Sequence, residues 1–452
     1  MKYIFSFIFF SGVYCYLIIP LKYLPIYNIN NSSHSEIYNS IINTKIYAQI
    51  EMGIPKQSIE IPLDFNSNDF YISDILFKSS NNKLYNSNIK YYNSSKSISL
   101  FPLEDIYLDG NNFYLGEYSK DIFYFNDTKY ELEFYLPIKL KKIESGGIGL
   151  LLNTLSYNSD RTFLKRIKEK GLIEDYYLSI IYNDDNVSLI IGKLPHELND
   201  ITNINDFNID NLKYTNAEIQ NGIVKNIFHI DDIIINQNNK IYTFEEIEKI
   251  ELDYHLGGIE LPIILLPIYE NFFGENIYKQ KCFKEELDIS KKISFFFCKN
   301  DNIIKNNIYQ DFPYIEFYNK ELNTNFSLDL NDLIYIKNNY IYFLLFFDYS
   351  NKTNNHEIVM GKPFLKKYQF SFAPDKKLLF YYDKNQKKMK IDEIIINNDK
   401  NIFVIIIAVI IAFITIFILF FMFLKFYFSR YRKKTKKAYE LEDEYIYDPR
   451  ND

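Results

Sequence analysis

A mainly β architecture is what the sequence predicts, and three observations predict it. Short apolar runs of strand length, several of them alternating, recur from Lys45 to Phe372 and are bounded by Asn, Asp, Gly and Pro. Helical patterning is confined to Asp160–Gly171 with its Lys/Arg face, Pro267–Phe273 and Thr243–Lys249. The spacing of the apolar runs leaves no room for a helix between successive strands, which excludes doubly wound and α/β-barrel folds.

Taken in order, strands are expected at Lys45–Glu51, Ser58–Leu63, Phe70–Ile72, Ser97–Phe101, Ile122–Phe125 and Tyr130–Ile138. Further strands follow at Leu178–Ile181, Ser188–Ile191, Asn226–Ile235, Tyr314–Tyr318, Tyr340–Phe347 and Gln369–Phe372. The chain has 452 residues, which at about 150 residues per domain suggests roughly three domain-sized units, or two lobes plus appendages. Its 47% hydrophobic content can bury a large core, and 14 Gly with 13 Pro exclude a collagen-like or low-complexity chain. A formal charge of -7 speaks against a nucleic-acid protein, which needs a basic face for phosphates. No phosphate-cradling loop, H-E-x-x-H helix or G-x-S-x-G elbow is present, so those chemistries have no residues to carry them.

Both ends of the chain point to a membrane. Residues 1–20 carry Lys2 ahead of an apolar run and then Ser11, Gly12 and Cys15, the pattern of a signal peptide; the alternatives are a signal anchor or a buried strand. Residues 21–45 form a short pro-like segment. Ile402–Leu424 is apolar throughout apart from Thr415 and long enough to cross about 30 Å of hydrocarbon as a helix. Lys425, Arg430 and Arg432–Lys434 follow it, so the positive-inside bias places the tail 425–452 in the cytosol and the bulk of the chain in the secretory lumen or outside the cell. Seven N-x-S/T sequons, at Asn30, Asn31, Asn93, Asn126, Asn186, Asn325 and Asn351, fall on that lumenal side. In an oxidising compartment, with Cys15 removed in the leader, Cys282 and Cys298 have only each other as partners. A disulfide there closes a loop worth about 3 kcal/mol; a free buried pair is the alternative.

Six landmarks in the lumenal region keep one family's order. Tyr47 to Ser58 reads YAQIEMGIPKQS, and Ile59 to Ile72 reads IEIPLDFNSNDFYI. Together they resemble the first hairpin of pepsin-like aspartic peptidases, which delivers an aspartate in D-[TS]-G-S. Tyr107-Leu108-Asp109-Gly110 resembles the substrate-covering flap, Gly146 to Leu150 a glycine-rich turn, and Phe228 to Ile235 the strand entering the second lobe. Ile250 to Leu256 sits where the second D-[TS]-G-T falls, and Ile358 to Tyr368 resembles the terminal I-L-G-D-x-F-L-R-x-Y. The resemblance implies a bilobal fold, with an N-lobe over 46–205 and a C-lobe over 206–395. It implies catalytic Asp64 and Asp253 and a substrate-binding flap at Tyr107 and Gly110, and the C-terminal anchor is similar to that of membrane-bound family members.

In that family two aspartates share a proton around one water, because like charges about 3 Å apart cannot both ionise. The neighbouring residues depart from the pattern: Phe65 and Asn66 replace the Thr and Gly after Asp64, Tyr254 and His255 replace them after Asp253, and Leu256 replaces a hydroxyl. Asn66 can adopt a left-handed conformation and Ser67 keeps its hydroxyl, whereas a protonated His255 favours two ionised carboxylates over the shared-proton state. Two functions are therefore expected. One is a membrane-anchored aspartic endopeptidase of weakened activity; the alternative is a catalytically silent relative that binds a peptide or protein between the lobes. A glycosylated structural surface protein is a third. No metal or cofactor is implied.

Overall fold

The strands Thr44–Met52 and Gln57–Asp64 show how alternation becomes structure: Ile46, Ala48, Ile50 and Met52 are buried while Gln49 and Glu51 face solvent. The two pair antiparallel from Tyr47↔Pro62 to Met52↔Gln57, turning through Gly53. The computed structural model describes residues 15–25, 33–68, 70–75, 89–106, 113–140, 147–152, 161–183, 186–198, 207–220, 222–237, 240–288, 292–300, 312–349 and 357–383.

These residues build a mainly β protein. The largest sheet has twelve strands and begins Leu212–Asn216, Leu378–Tyr382, Ser371–Ala373, Leu178–Asn183, Asn186–Ile191. It continues through Leu17–Pro25, Thr44–Met52, Gln57–Asp64 and Ile148–Gly149. The long hairpin Phe113–Phe125/Thr128–Leu140 branches from Thr44–Met52 through Phe113–Phe125, which also pairs with Phe101–Ile106. Most of the second half of the chain forms an eight-stranded sheet centred on Glu357–Met360, Ile259–Leu261 and Tyr340–Asp348, and a four-stranded sheet around Asp232–Gln237 and Tyr314–Asn319. Residues from all three sheets meet in one continuous apolar core rich in Phe and Tyr.

Leu17–Pro25 pairs with Asn186–Ile191 on one side and Thr44–Met52 on the other, and Leu17 and Ile19 are 2% exposed. The last residues of the expected leader thus lie inside the largest sheet, the buried-strand alternative of the sequence reading. The pro-like segment contributes as well. His34–Ile42 is a helix opened by a capping box, with Ser33 Oγ accepting from the Glu36 N–H and the Glu36 carboxylate accepting from the Ser33 N–H. Tyr38 anchors it by donating to the carbonyls of Phe343 and Leu345 and stacking on Phe295 at 4.0 Å.

Phe163–Glu169 and Leu266–Tyr278 are helices near their expected places, the second continuing past Phe273 to Tyr278. Thr243–Lys249 is not a helix. Thr243 ends the strand Lys240–Thr243, Lys249 begins the strand Lys249–Leu252, and the residues between bond into neighbouring strands, the Phe244 N–H to Ile233 and the Glu248 carbonyl to Ile230. Sheet pairing with distant residues overrides the local helical preference of the Glu-rich run. The expected strand Asn226–Ile235 is likewise two, Ile227–His229 and Asp232–Gln237.

Cys282 and Cys298 face each other in register across an antiparallel hairpin and form a disulfide. Sequon residues Asn126, Asn186 and Asn325 are exposed. Among the described residues no helix is long and apolar enough to cross a membrane; Ile402–Leu424 lies outside them, as do the tail 425–452, Tyr107 and Gly110.

Candidate active site

Asp64 ends a strand whose Ile59, Ile61 and Leu63 are held in the core. Leu63 and Asp64 pair in parallel with Ile148 and Gly149, and the Leu150 N–H donates to the Asp64 carbonyl at 2.8 Å. Gly147 makes this pairing possible: its φ is +137°, and a Cβ there would lie 1.7 Å from the Pro62 carbonyl oxygen. The chain then bends through Phe65 and Asn66, and the Asn66 N–H donates to Asp64 Oδ1 at 2.8 Å.

Asp253 is reached the same way from the other half of the chain. Lys249–Leu252 pairs in parallel with Glu357–Met360, and the Asp253 N–H donates to the Met360 carbonyl at 3.1 Å. The His255 N–H donates to Asp253 Oδ1 at 2.8 Å. Each aspartate therefore follows a strand paired in parallel, and each accepts from the backbone N–H two residues on. Asn66 and His255 stand where the D-[TS]-G pattern has glycine, and in a bend and a turn both still present a backbone N–H to the carboxylate.

The two loops touch. The Phe65 and Tyr254 rings stack with centroids 4.4 Å apart, and Phe65 meets His255 edge-on at 5.8 Å. Phe65 and Tyr254 are 7% and 3% exposed, so the stack is part of the core. An aromatic pair contributes about 0.5–1.5 kcal/mol beyond its buried area, comparable with one or two ordinary hydrogen bonds. The ring stack thus links the loops where a pair of threonine hydroxyls was missing.

His255 is the unusual member. Burial lowers its pKa, opposed by the nearby charges of Asp253 and Asp64, and the balance keeps the ring neutral further into the acid range than a free histidine. The effect of a protonated ring, which favours two ionised carboxylates, is thereby moved to lower pH. Its Nδ1 is sealed from solvent with no hydrogen-bond partner among the described residues. Beyond the stack lies a buried tyrosine group: Tyr23 and Tyr182 share a hydrogen bond of 2.8 Å, and burial pushes the hydroxyls of Tyr23, Tyr182 and Tyr254 well above the usual range.

Two further residues shape the site. Glu251 precedes Asp253 by two, on the same strand face, and burial together with Glu357 and Asp253 pushes its carboxyl up to about 7. It opens with Asp253, Phe65, Asn66 and Asn226 onto a cavity of about 10 Å³, room for a single water. Thr44 holds the second loop from outside, its Oγ1 donating to the His255 carbonyl at 2.7 Å and its N–H at 3.3 Å. Period-two spacing from Asp253 was the available signal for Glu251. Nothing local in the sequence marks Thr44, because its partner is more than two hundred residues away.

The structure thus brings Asp64, Phe65 and Asn66 together with Asp253, Tyr254 and His255. The Cys282–Cys298 disulfide belongs to a separate hairpin of the eight-stranded sheet. Among the described residues no His, Cys, Asp and Glu cluster is arranged to hold a metal ion. Comparison with protein-family models and with curated proteins finds no match to the chain.

Proposed function

We propose that the chain is a pepsin-like aspartic endopeptidase of weakened activity, bilobal over residues 46–205 and 206–395, anchored by Ile402–Leu424 with its bulk lumenal. The single observation that carries this reading is the matched pair of loops. Asn66 and His255 each give a backbone N–H to the preceding aspartate at 2.8 Å, and the Phe65–Tyr254 stack joins the two. Asp64 and Asp253 hold one water between them; one carboxylate takes a proton from the water as it attacks the peptide carbonyl, and the other gives its proton to the carbonyl oxygen. Burial keeps His255 neutral further into the acid range than a free histidine, which favours the single shared proton over that extended range. Leu256 offers no hydroxyl to the second aspartate, and losing one such donor costs about 3 kcal/mol of barrier, so cleavage at least a hundredfold slower than in an intact site is expected. Exposed Asn126, Asn186 and Asn325 suit glycosylation in the lumen.

Leu256 and the His255 side chain also favour a second reading, a silent protein that holds a peptide or protein ligand at the same loops. Incubating the purified protein with a peptide library at acidic pH, beside Asp64→Ala and Asp253→Ala, decides between them. Slow cleavage abolished by either substitution is the expected result. Peptide binding without cleavage establishes the silent reading, and neither binding nor cleavage overturns both.

A further inference from the structure

A cavity of about 690 Å³ lies behind the second aspartate loop, lined there by Thr44, Gly257 and Lys362. That volume belongs to the size class of small-molecule sites. Its walls carry Lys337, Lys362, Lys366 and Lys367 against one carboxylate, Asp332. Lys367 is satisfied by Asp332 at 2.7 Å. Lys337, Lys362 and Lys366 have no carboxylate partner among the described residues. Lys362 is half-buried, its ammonium 4.3 Å from the Tyr23 ring centroid. Burial and the neighbouring Lys366 lower its pKa. Lys362, half-buried beside Lys366 and without a carboxylate, is the partly desolvated cation here, and an anion in the cavity would offset that cost.

We propose that this cavity is a binding site for a phosphoryl-bearing ligand and that its occupancy stiffens the second aspartate loop. Three unpaired ammonium groups suit a compact multivalent anion, and lysines engage phosphate as point charges without the planar fork by which arginine selects carboxylates. The link to the loop is structural. Thr44 and Gly257 line the cavity, Thr44 holds the His255 carbonyl, and the Lys362 N–H donates to the Leu256 carbonyl at 2.7 Å. The site is independent of whether Asp64 and Asp253 cleave peptides.

The test uses the full chain in detergent micelles, with inorganic pyrophosphate measured calorimetrically at fixed ionic strength. Phosphatidylcholine vesicles with and without phosphatidic acid form the second arm. Saturable pyrophosphate binding is expected, weakened about tenfold or more by Lys362→Met and by the paired Lys337→Met, Lys366→Met variant. The paired variant keeps the test decisive if Lys362→Met fails to fold. Amide exchange of residues 254–258 should slow when pyrophosphate binds. Binding to phosphatidic acid vesicles alone, with the same lysine dependence, assigns the phosphoryl group to a lipid. No binding in either arm, or binding indifferent to the lysines, overturns the proposal.

Discussion

The two aspartate loops are alike in backbone and unlike in what holds them. At Asp64 the strand, the parallel partner Ile148–Gly149 and the Asn66 N–H come from one sheet. At Asp253 the same geometry is clamped from outside: Thr44 bonds the His255 carbonyl, the Gly257 N–H donates to Ile42 at 2.8 Å, and Gly257 lies so close to the helix His34–Ile42 that a Cβ would meet the Ile41 carbonyl oxygen at 1.8 Å. The loop that departs further from a D-[TS]-G sequence, with His255 and Leu256, is the one with the larger external support. Close backbone packing fixes where a carboxylate sits, and the residues beside it can then change at modest structural cost.

The largest effect expected from breaking this comparison is at its glycines. Gly257→Ala should destabilise the chain by about 4 kcal/mol or more in urea unfolding, because Ile41 is backbone and cannot yield. Gly147→Ala should do as much in the first loop. Tyr254→Ala should cost about 3 kcal/mol as a buried aromatic truncation, and a double-mutant cycle with Phe65→Ala should return a coupling near 1 kcal/mol. A coupling of zero would mean that the rings merely lie side by side.

Glu251 sharpens the contrast, since Pro62 stands at the matching place before Asp64. The folded carboxyl titrates at about 7, above its ordinary 4.5, so folding favours its protonated form. That contribution is complete below the ordinary value and is lost as pH rises through 7, about 3 kcal/mol in all. Unfolding followed from pH 4 to 8 should show this decline in the parent chain and its absence in Glu251→Gln. His255→Gly, which empties a buried ring site against Phe65, should cost about 1–2 kcal/mol while raising any cleavage more than Asn66→Gly does. The smallest effect is Asn66→Gly, with stability changed by less than about 1 kcal/mol.

Strand positions were legible because alternation survives translation into a half-buried sheet, as in Thr44–Met52. Asp64 and Asp253 were singled out by the order of the surrounding motifs, and the loops that carry them touch through Phe65 and Tyr254. The helix His34–Ile42 announced itself only through Ser33 and Glu36, a capping pair easily passed over in an Asn- and Ser-rich stretch. The Phe65–Tyr254 stack was hidden because the residues read singly as losses, and only their juxtaposition makes them a link. Leu17–Pro25 was masked by its own hydrophobicity, which serves a leader and a buried strand equally.

The claim that the two loops act as one pair is tested most directly by hydrolysis in Asp64→Asn, Asp253→Asn and the double variant. Each single substitution is predicted to remove as much activity as both together, the behaviour of groups that work as a unit. Losses that add independently, or cleavage that survives either substitution, would contradict the account.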